Sequence, residues 1–395
     1  MAARFDNILI IGLGLIGGSL AGALKAFAGD EQASGGQAPA GRQMPAGRHG
    51  GAGARIYGLD SNPDASRKAL DAGFVDSVPD RAETLRLLSE GGIDLVVLAV
   101  PVDAYGEWFA LLTESGYEGV LTDTGSTKGP AIEYAQRHLK NPERFVPGHP
   151  MAGSEREGID GARPDLFQGA YWLLTPGSRT DIYAFRRLHE LLTGLGTRVL
   201  SVSPAEHDRV VAIVSHVPHI AAAALVTLAG AHAGENGEML RLAAGGFKDT
   251  TRIAAGSAEL WTGILLNNAD IVAEELDELQ RIVADFGQLL RAGDAEGIRA
   301  RLADASRIRS SLPAQWVQAS ARLVEIRIPM DDRRGIIAEI TTAAGRAECN
   351  IEAIDIDHQT EDRAVLELVL TDEGDIDGFL DTLRLGGFRP QRRML

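Results

Sequence analysis

The feature that most constrains this chain is an apolar run, Ile8-Leu9-Ile10-Ile11, that ends on Gly12-Leu13-Gly14-Leu15-Ile16-Gly17 and passes at once into a helical pattern. Strand, tight turn and helix in that order are what a dinucleotide pyrophosphate requires. Gly12 permits the turn, Gly14 lets the backbone approach the phosphates, and Gly17 lets helix and strand pack closely. The helix start at Leu15 and Ile16 offers unpaired N–H groups and a positive dipole end. A second run, Ile56-Tyr57-Gly58-Leu59, ends in Asp60. An acid there accepts hydrogen bonds from both ribose hydroxyls and repels a 2′-phosphate, so NAD is expected rather than NADP. The continuous apolar run Asp94–Val100 reads as a central parallel strand. Its end at Val100 and Pro101, and Thr124 at the end of the next strand, are expected to face the cofactor.

The chain has 395 residues, too many for one ordinary core, so several domains are expected. Net charge is −16 with no basic block, which disfavours nucleic acid and anionic membrane surfaces as partners. A single cysteine, Cys349, rules out an intrachain disulfide and disfavours a thiolate metal cluster; no metal is expected. The acidic start and the short apolar run Ile220–Leu228 predict neither a signal peptide nor a membrane span, and the reading is cytoplasmic.

Residues 1–178 read as an α/β, Rossmann-type dinucleotide-binding domain, with short strands near 75, 145 and 171 and the last two finishing its sheet. Residues 29–54, rich in Gly, Ala, Gln, Arg and Pro, read as a disordered insertion that stretches the Gly17 to Asp60 spacing. From 179 to 312 helix follows helix, and the long amphipathic span 257–292 suits an interior or a dimer interface, so this is expected to be an all-helical dimerisation domain. Pro313 marks a linker over 313–321. Residues 322–395 then read strand, helix, strand, strand, helix, strand, a ferredoxin-like α+β arrangement.

Three further clusters could carry chemistry: Thr122–Gly129 after a strand, Gly148–Glu155, and Ser215–His219 with Ala244–Arg252. Arg252 has the fork that suits a carboxylate. A serine-hydrolase reading of Ser126, His149 and Glu155 fails because no nucleophile elbow surrounds the serine. A zinc reading of His216 and His219 fails for want of further ligands at metal spacing.

Together, Gly-Leu-Gly-Leu-Ile-Gly-Gly-Ser-Leu at 12–20, Asp-Thr-Gly-Ser-Thr-Lys at 123–128, His-Pro-Met-Ala-Gly-Ser-Glu at 149–155, Ser-His-Val-Pro-His at 215–219 and Gly-Gly-Phe-Lys-Asp-Thr-Thr-Arg-Ile-Ala at 245–254 resemble the prephenate dehydrogenases. This tyrosine-biosynthesis family also includes arogenate dehydrogenases. The tail from 322 resembles an ACT domain, an amino-acid-sensing module. The insertion at 29–54 departs from the family pattern, as does Arg334 before Gly335, where ACT domains often carry proline.

The resemblance implies NAD-dependent oxidative decarboxylation of prephenate to 4-hydroxyphenylpyruvate. It makes His149 the proton acceptor and Ser126 the group that orients it and binds the substrate hydroxyl. Arg252 would clamp a substrate carboxylate, His219 (alternatively His216) would bind the other end, and Trp261 would wall the pocket. Ser154 and Gly245 would touch substrate, while Glu155 and Asp249 would gate it. A homodimer and feedback by L-tyrosine are also implied. Arogenate is the rival substrate; a β-hydroxyacid dehydrogenase and a non-catalytic NAD- and tyrosine-binding regulator are the more distant rivals.

Overall fold

The computed structural model describes residues 5–33, 53–154, 156–232, 243–311, 323–331, 333, 335–360, 363–371 and 374–394. The chain forms two compact units, one of Met1–His207 with Ala321–Leu395 and one of Asp208–Ser320.

The first unit is built on β1 (Asn7–Ile11), β2 (Arg55–Leu59), β3 (Leu95–Leu98), β4 (Val120–Asp123) and β5 (Phe145–Val146), in the parallel order β2-β1-β3-β4-β5. Helices α1 (Leu15–Ala33), α2 (Pro63–Asp71), α3 (Arg81–Ser89), α4 (Tyr105–Glu114) and α5 (Gly129–His138) connect them. Ile8 and Ile10 join one apolar cluster while Leu9 and Ile11 join the other, so the sheet is buried on both faces. The strand order reverses at β1, between β2 and β3, which is where such sheets open a crevice at their carboxyl ends. The strand expected near 75 is an isolated bridge, Tyr57 to Ser77. Helix α1 runs to Ala33, into the stretch expected to be disordered, and the rest of that stretch, 34–52, lies outside the described residues.

The strand expected at 171 belongs to a second sheet. Here β6 (Gly148–Pro150) pairs antiparallel with β7 (Tyr171–Leu174), which pairs parallel with β8 (Arg198–Ser201). An apolar run marks a buried strand but does not say which sheet buries it. Because α6 (Ile182–Gly194) and β8 complete this second sheet, the expected division at 178/179 falls inside the first unit.

Helix α7 (Pro204–Val211) carries the chain across the unit boundary. A single π-type turn at Ala212–His216 leads into α8 (Val217–Ala231), and α9 (Gly245–Thr251), α10 (Ala258–Leu266), α11 (Ala269–Ala292) and α12 (Ala295–Ser311) follow. The long helical span expected over 257–292 is two helices, divided at Asn267 and Asn268. There the Asn268 side chain donates to the Asp208 carbonyl at 2.8 Å, an alternative to helical pairing that asparagine offers readily. The path Pro204–Ala231 is helical throughout, with 28 residues and a mean hydropathy of 1.8 in its most apolar window. By length and composition alone it is long and apolar enough to cross a membrane, but an apolar core helix passes the same test. It is longer than the Ile220–Leu228 run read from sequence because the chain stays helical through Ser215–His219.

The carboxyl-terminal part of the first unit is β9 (Leu323–Asp331), α13 (Ile336–Arg346), β10 (Ile351–Thr360), β11 (Arg363–Thr371), α14 (Ile376–Leu385) and β12 (Gln391–Met394). The antiparallel order β10-β11-β9-β12 is the expected split β-α-β arrangement. It docks closely on β8: a Cβ on Gly345 would lie 1.9 Å from the Ser201 carbonyl oxygen. Arg346 Nε lies 2.7 Å from Glu206 Oε1 at the start of α7.

Candidate active site

The glycine turn has the space that a nucleotide backbone needs. Gly12 has φ +96°, and a Cβ there would meet the Ala99 carbonyl oxygen at 2.4 Å. On Gly17 a Cβ would strike the Gly12 carbonyl oxygen at 1.8 Å, so only glycine lets α1 sit this close to β1. Around Gly14 nothing lies within 4 Å of such a Cβ, leaving open space above the turn. Helix α1 has no acid in its first turn, so Leu15 and Ile16 begin a helix whose positive end is uncompensated.

Asp60 locks this turn to the end of β2. Its Oδ2 accepts from Leu13 N at 2.7 Å and its Oδ1 from Asn62 N at 2.8 Å. A carboxylate has about four acceptor positions, so two such bonds leave room for hydroxyl donors. Half-buried Val100 and exposed Pro101 follow β3, and half-buried Thr124 follows β4, with Thr124 N donating to the Leu98 carbonyl at 2.9 Å. These residues fit a dinucleotide at the reversal point of the sheet.

Beyond β4 a buried charge network fixes two loops at once. Asp123 and Lys128 are both fully buried and paired at 2.5 Å. The Asp123 carboxylate also accepts from Tyr105 Oη at 2.8 Å, Gly125 N at 3.0 Å and Gly148 N at 3.0 Å. Lys128 Nζ donates to the Gly148 carbonyl at 2.6 Å. Burial, and after it the Asp123 charge, push the Tyr105 phenol well above its usual pKa, so it stays a donor. The loop carrying half-buried Ser126 and the strand carrying half-buried His149 are thus held by one carboxylate. No sequence pattern assigns a role to Tyr105, Asp123 or Lys128. Asp123 and Lys128 stand in the quoted motif, but a charged pair in a loop reads as solvated.

His149, on β6, lies with Nδ1 2.9 Å from Nε2 of His207, which is fully buried on α7. Their rings are 5.1 Å apart between centroids and inclined at 59°. No local pattern pointed to His207, 58 residues away in sequence. Ser154 is exposed and accepts from Arg156 N at 3.1 Å; Glu155 lies outside the described residues.

The second unit carries the other expected substrate contacts. His219 is buried and stacks on half-buried Trp261, with centroids 3.6 Å apart and an interplanar angle of 15°. Its Nδ1 is buried without a hydrogen-bond partner, and burial lowers its pKa, favouring the neutral ring. His216, the alternative, is also buried but has Nδ1 3.3 Å from Asn268 Nδ2. Gly245, Asp249 and Arg252 are exposed, on α9 and the turn that follows it. The expected residues therefore divide into two groups. Gly12–Gly17, Asp60, Val100, Pro101, Thr124, Ser126, His149 and Ser154 lie in one unit, and His219, Gly245, Asp249, Arg252 and Trp261 in the other.

The family described as prephenate dehydrogenase, nucleotide-binding domain, matches residues 46–201, and prephenate dehydrogenase, dimerization domain, matches 203–304. A prephenate dehydrogenase of Bacillus subtilis is 36% identical over 361 residues, 90% of each chain. A cyclohexadienyl dehydrogenase of Zymomonas mobilis is 33% identical over 290 residues, 73% of this chain and 88% of that one. Among solved structures, prephenate dehydrogenase from Aquifex aeolicus, in complex with hydroxyphenyl propionate and NAD+, is similar at a TM-score of 0.67 and 28% identity, over 79% of this chain and all of that one. A glycine turn locked to an acid, a parallel sheet reversed beside it, a helical second unit and this identity along nearly the whole length lead to one conclusion: the chain is an oxidoreductase of the prephenate dehydrogenase family.

Proposed function

We propose that this chain oxidises and decarboxylates prephenate to 4-hydroxyphenylpyruvate with NAD. The observation that carries the cofactor reading is the bond from Leu13 N to Asp60, which holds a carboxylate beside the glycine turn where a ribose would lie and a 2′-phosphate would be repelled. The Aquifex relative, solved with NAD+, supports it.

NAD, when bound, supplies the hydride acceptor. As hydride leaves C4 of the ring, the C4 hydroxyl must lose its proton, and His149 takes it. An imidazole whose usual pKa lies near ~6.5 can do this at neutral pH. Ser126 hydrogen-bonds the same hydroxyl and orients the imidazole. The electrons of the bond between C1 and its carboxylate pass through the ring to the C4 oxygen, CO2 departs, that oxygen takes back the proton held by His149, and aromatisation makes the step effectively irreversible. Arg252 clamps a substrate carboxylate. Neutral His219, braced on Trp261, contacts the polar side chain, with Ser154 and Gly245 beside the substrate. Glu155 and Asp249 govern entry.

Arogenate, with an amino in place of a keto side chain, is the second reading, favoured by the likeness to a cyclohexadienyl dehydrogenase. The carboxyl-terminal domain is read as an ACT-type sensor for L-tyrosine. The helical unit is read as the interface of a homodimer, supported by its match and by exposed Leu228, Leu266 and Leu290. The protein is read as cytoplasmic. The test is initial-rate NADH formation with prephenate and with arogenate, with NADP in parallel and tyrosine added. Turnover of prephenate with NAD is expected. Turnover of neither substrate contradicts the proposal.

A further inference from the structure

We propose that His207 is the positioning residue of the reaction: it fixes the tautomer of His149. The inference rests on His149 being the proton acceptor.

Across the 2.9 Å contact between His149 Nδ1 and His207 Nε2 only one proton can sit. For His149 to accept a proton on Nε2 its own proton must be on Nδ1. That proton is then donated to the Nε2 lone pair of His207, which carries its proton on Nδ1. The reverse tautomer would leave His149 protonated at the nitrogen that has to receive the substrate's proton. When His149 becomes an imidazolium, its Nδ1–H bond to neutral His207 strengthens, because the donor is now charged. Two imidazolium rings at this distance repel, so the second ring stays neutral.

The choice of partner matters chemically. A carboxylate in this position fixes the tautomer too, but its negative charge also raises the basicity of the imidazole. An uncharged imidazole orients the ring without adding that charge.

His207 is built to hold its place. It is fully buried, and its backbone N–H donates to the Ser203 carbonyl at 2.9 Å in the first turn of α7. That turn is closed by a capping box. Glu206 N donates to Ser203 Oγ at 3.3 Å, while Ser203 N donates to Glu206 Oε2 at 3.0 Å. The carboxyl-terminal domain adds Arg346, 2.7 Å from the other oxygen of Glu206. The neighbour of His207 is therefore fixed from three sides.

The test compares His207→Leu, similar in bulk but with no acceptor, with His207→Gln, whose amide oxygen can accept from Nδ1–H. The parent chain must first turn over prephenate or arogenate; if it turns over neither, the functional reading fails whatever His207 does. With an active parent, His207→Leu should lower kcat about 100-fold, the scale expected for a group that orients an active ligand or base. KM for the substrate and the affinity for NAD should stay within about twofold. His207→Gln should recover kcat to within about tenfold of the parent. In a His149→Asn background, His207→Leu should cost nothing further, since the two act as a unit. Should His207→Leu fail to fold, His207→Asn, too short to reach, takes its place with the same expectations. Parental kcat in the variant lacking the acceptor, equal loss in the Leu and Gln variants, or a further large drop in the His149→Asn background would overturn the proposal.

Discussion

In the first unit Asp123, Lys128 and His207 are fully buried, each with its partners in hydrogen-bond reach. In the second, Leu266, Leu290 and Ile308 are about two-thirds exposed, and charged residues of α12 pair at the surface, as Arg299 does with Glu296 and Arg301 with Asp285. Around Asp123, Lys128 and His207 the first unit thus encloses polar groups that are answered by partners, as desolvated groups need to be. The second leaves apolar surface uncovered, which is the pattern of a helical unit that meets another surface. Precision is internal to one unit; the other is completed from outside, by a second copy in the reading proposed above.

Lys128→Met breaks this comparison most strongly. Removing one member of a buried pair leaves the Asp123 carboxylate uncompensated, and such changes cost about 3–5 kcal/mol. Urea unfolding should register that loss in the first unit. An exposed pair such as Arg299 with Glu296 should give no measurable change when Arg299 is replaced by Ala. If the two substitutions cost the same, burial is not what distinguishes the units.

A smaller effect is expected in the second unit. Arg252 is exposed, so Arg252→Gln should leave unfolding unchanged and raise the substrate KM roughly 30-fold, the low end for a lost charged hydrogen bond. The affinity for NAD should not move. If KM holds and only the cofactor weakens, Arg252 is not the clamp.

Legibility in the sequence followed the range of the interactions. The glycine turn could be read because positive φ at Gly12 and close packing at Gly17 leave no other residue type. The carboxyl-terminal β-α-β-β-α-β order could be read because its periods switch cleanly between strand and helix. Helix α5 carries a legible start signal, since Gly129-Pro130 opens it and proline favours the first turn. The strand Tyr171–Leu174 was assigned to the wrong sheet because pairing partners are set by topology. His207 and the Tyr105–Asp123–Lys128 network were not legible at all. They depend on contacts between segments whose juxtaposition exists only after folding.

The most direct test of the account is the initial rate of NADH formation from prephenate by the parent chain and by His149→Asn, with NAD affinity measured alongside. The account predicts prephenate turnover by the parent, a loss of about 10²–10⁴ in kcat in the variant, and NAD affinity within about twofold. Parental turnover in the variant would contradict it.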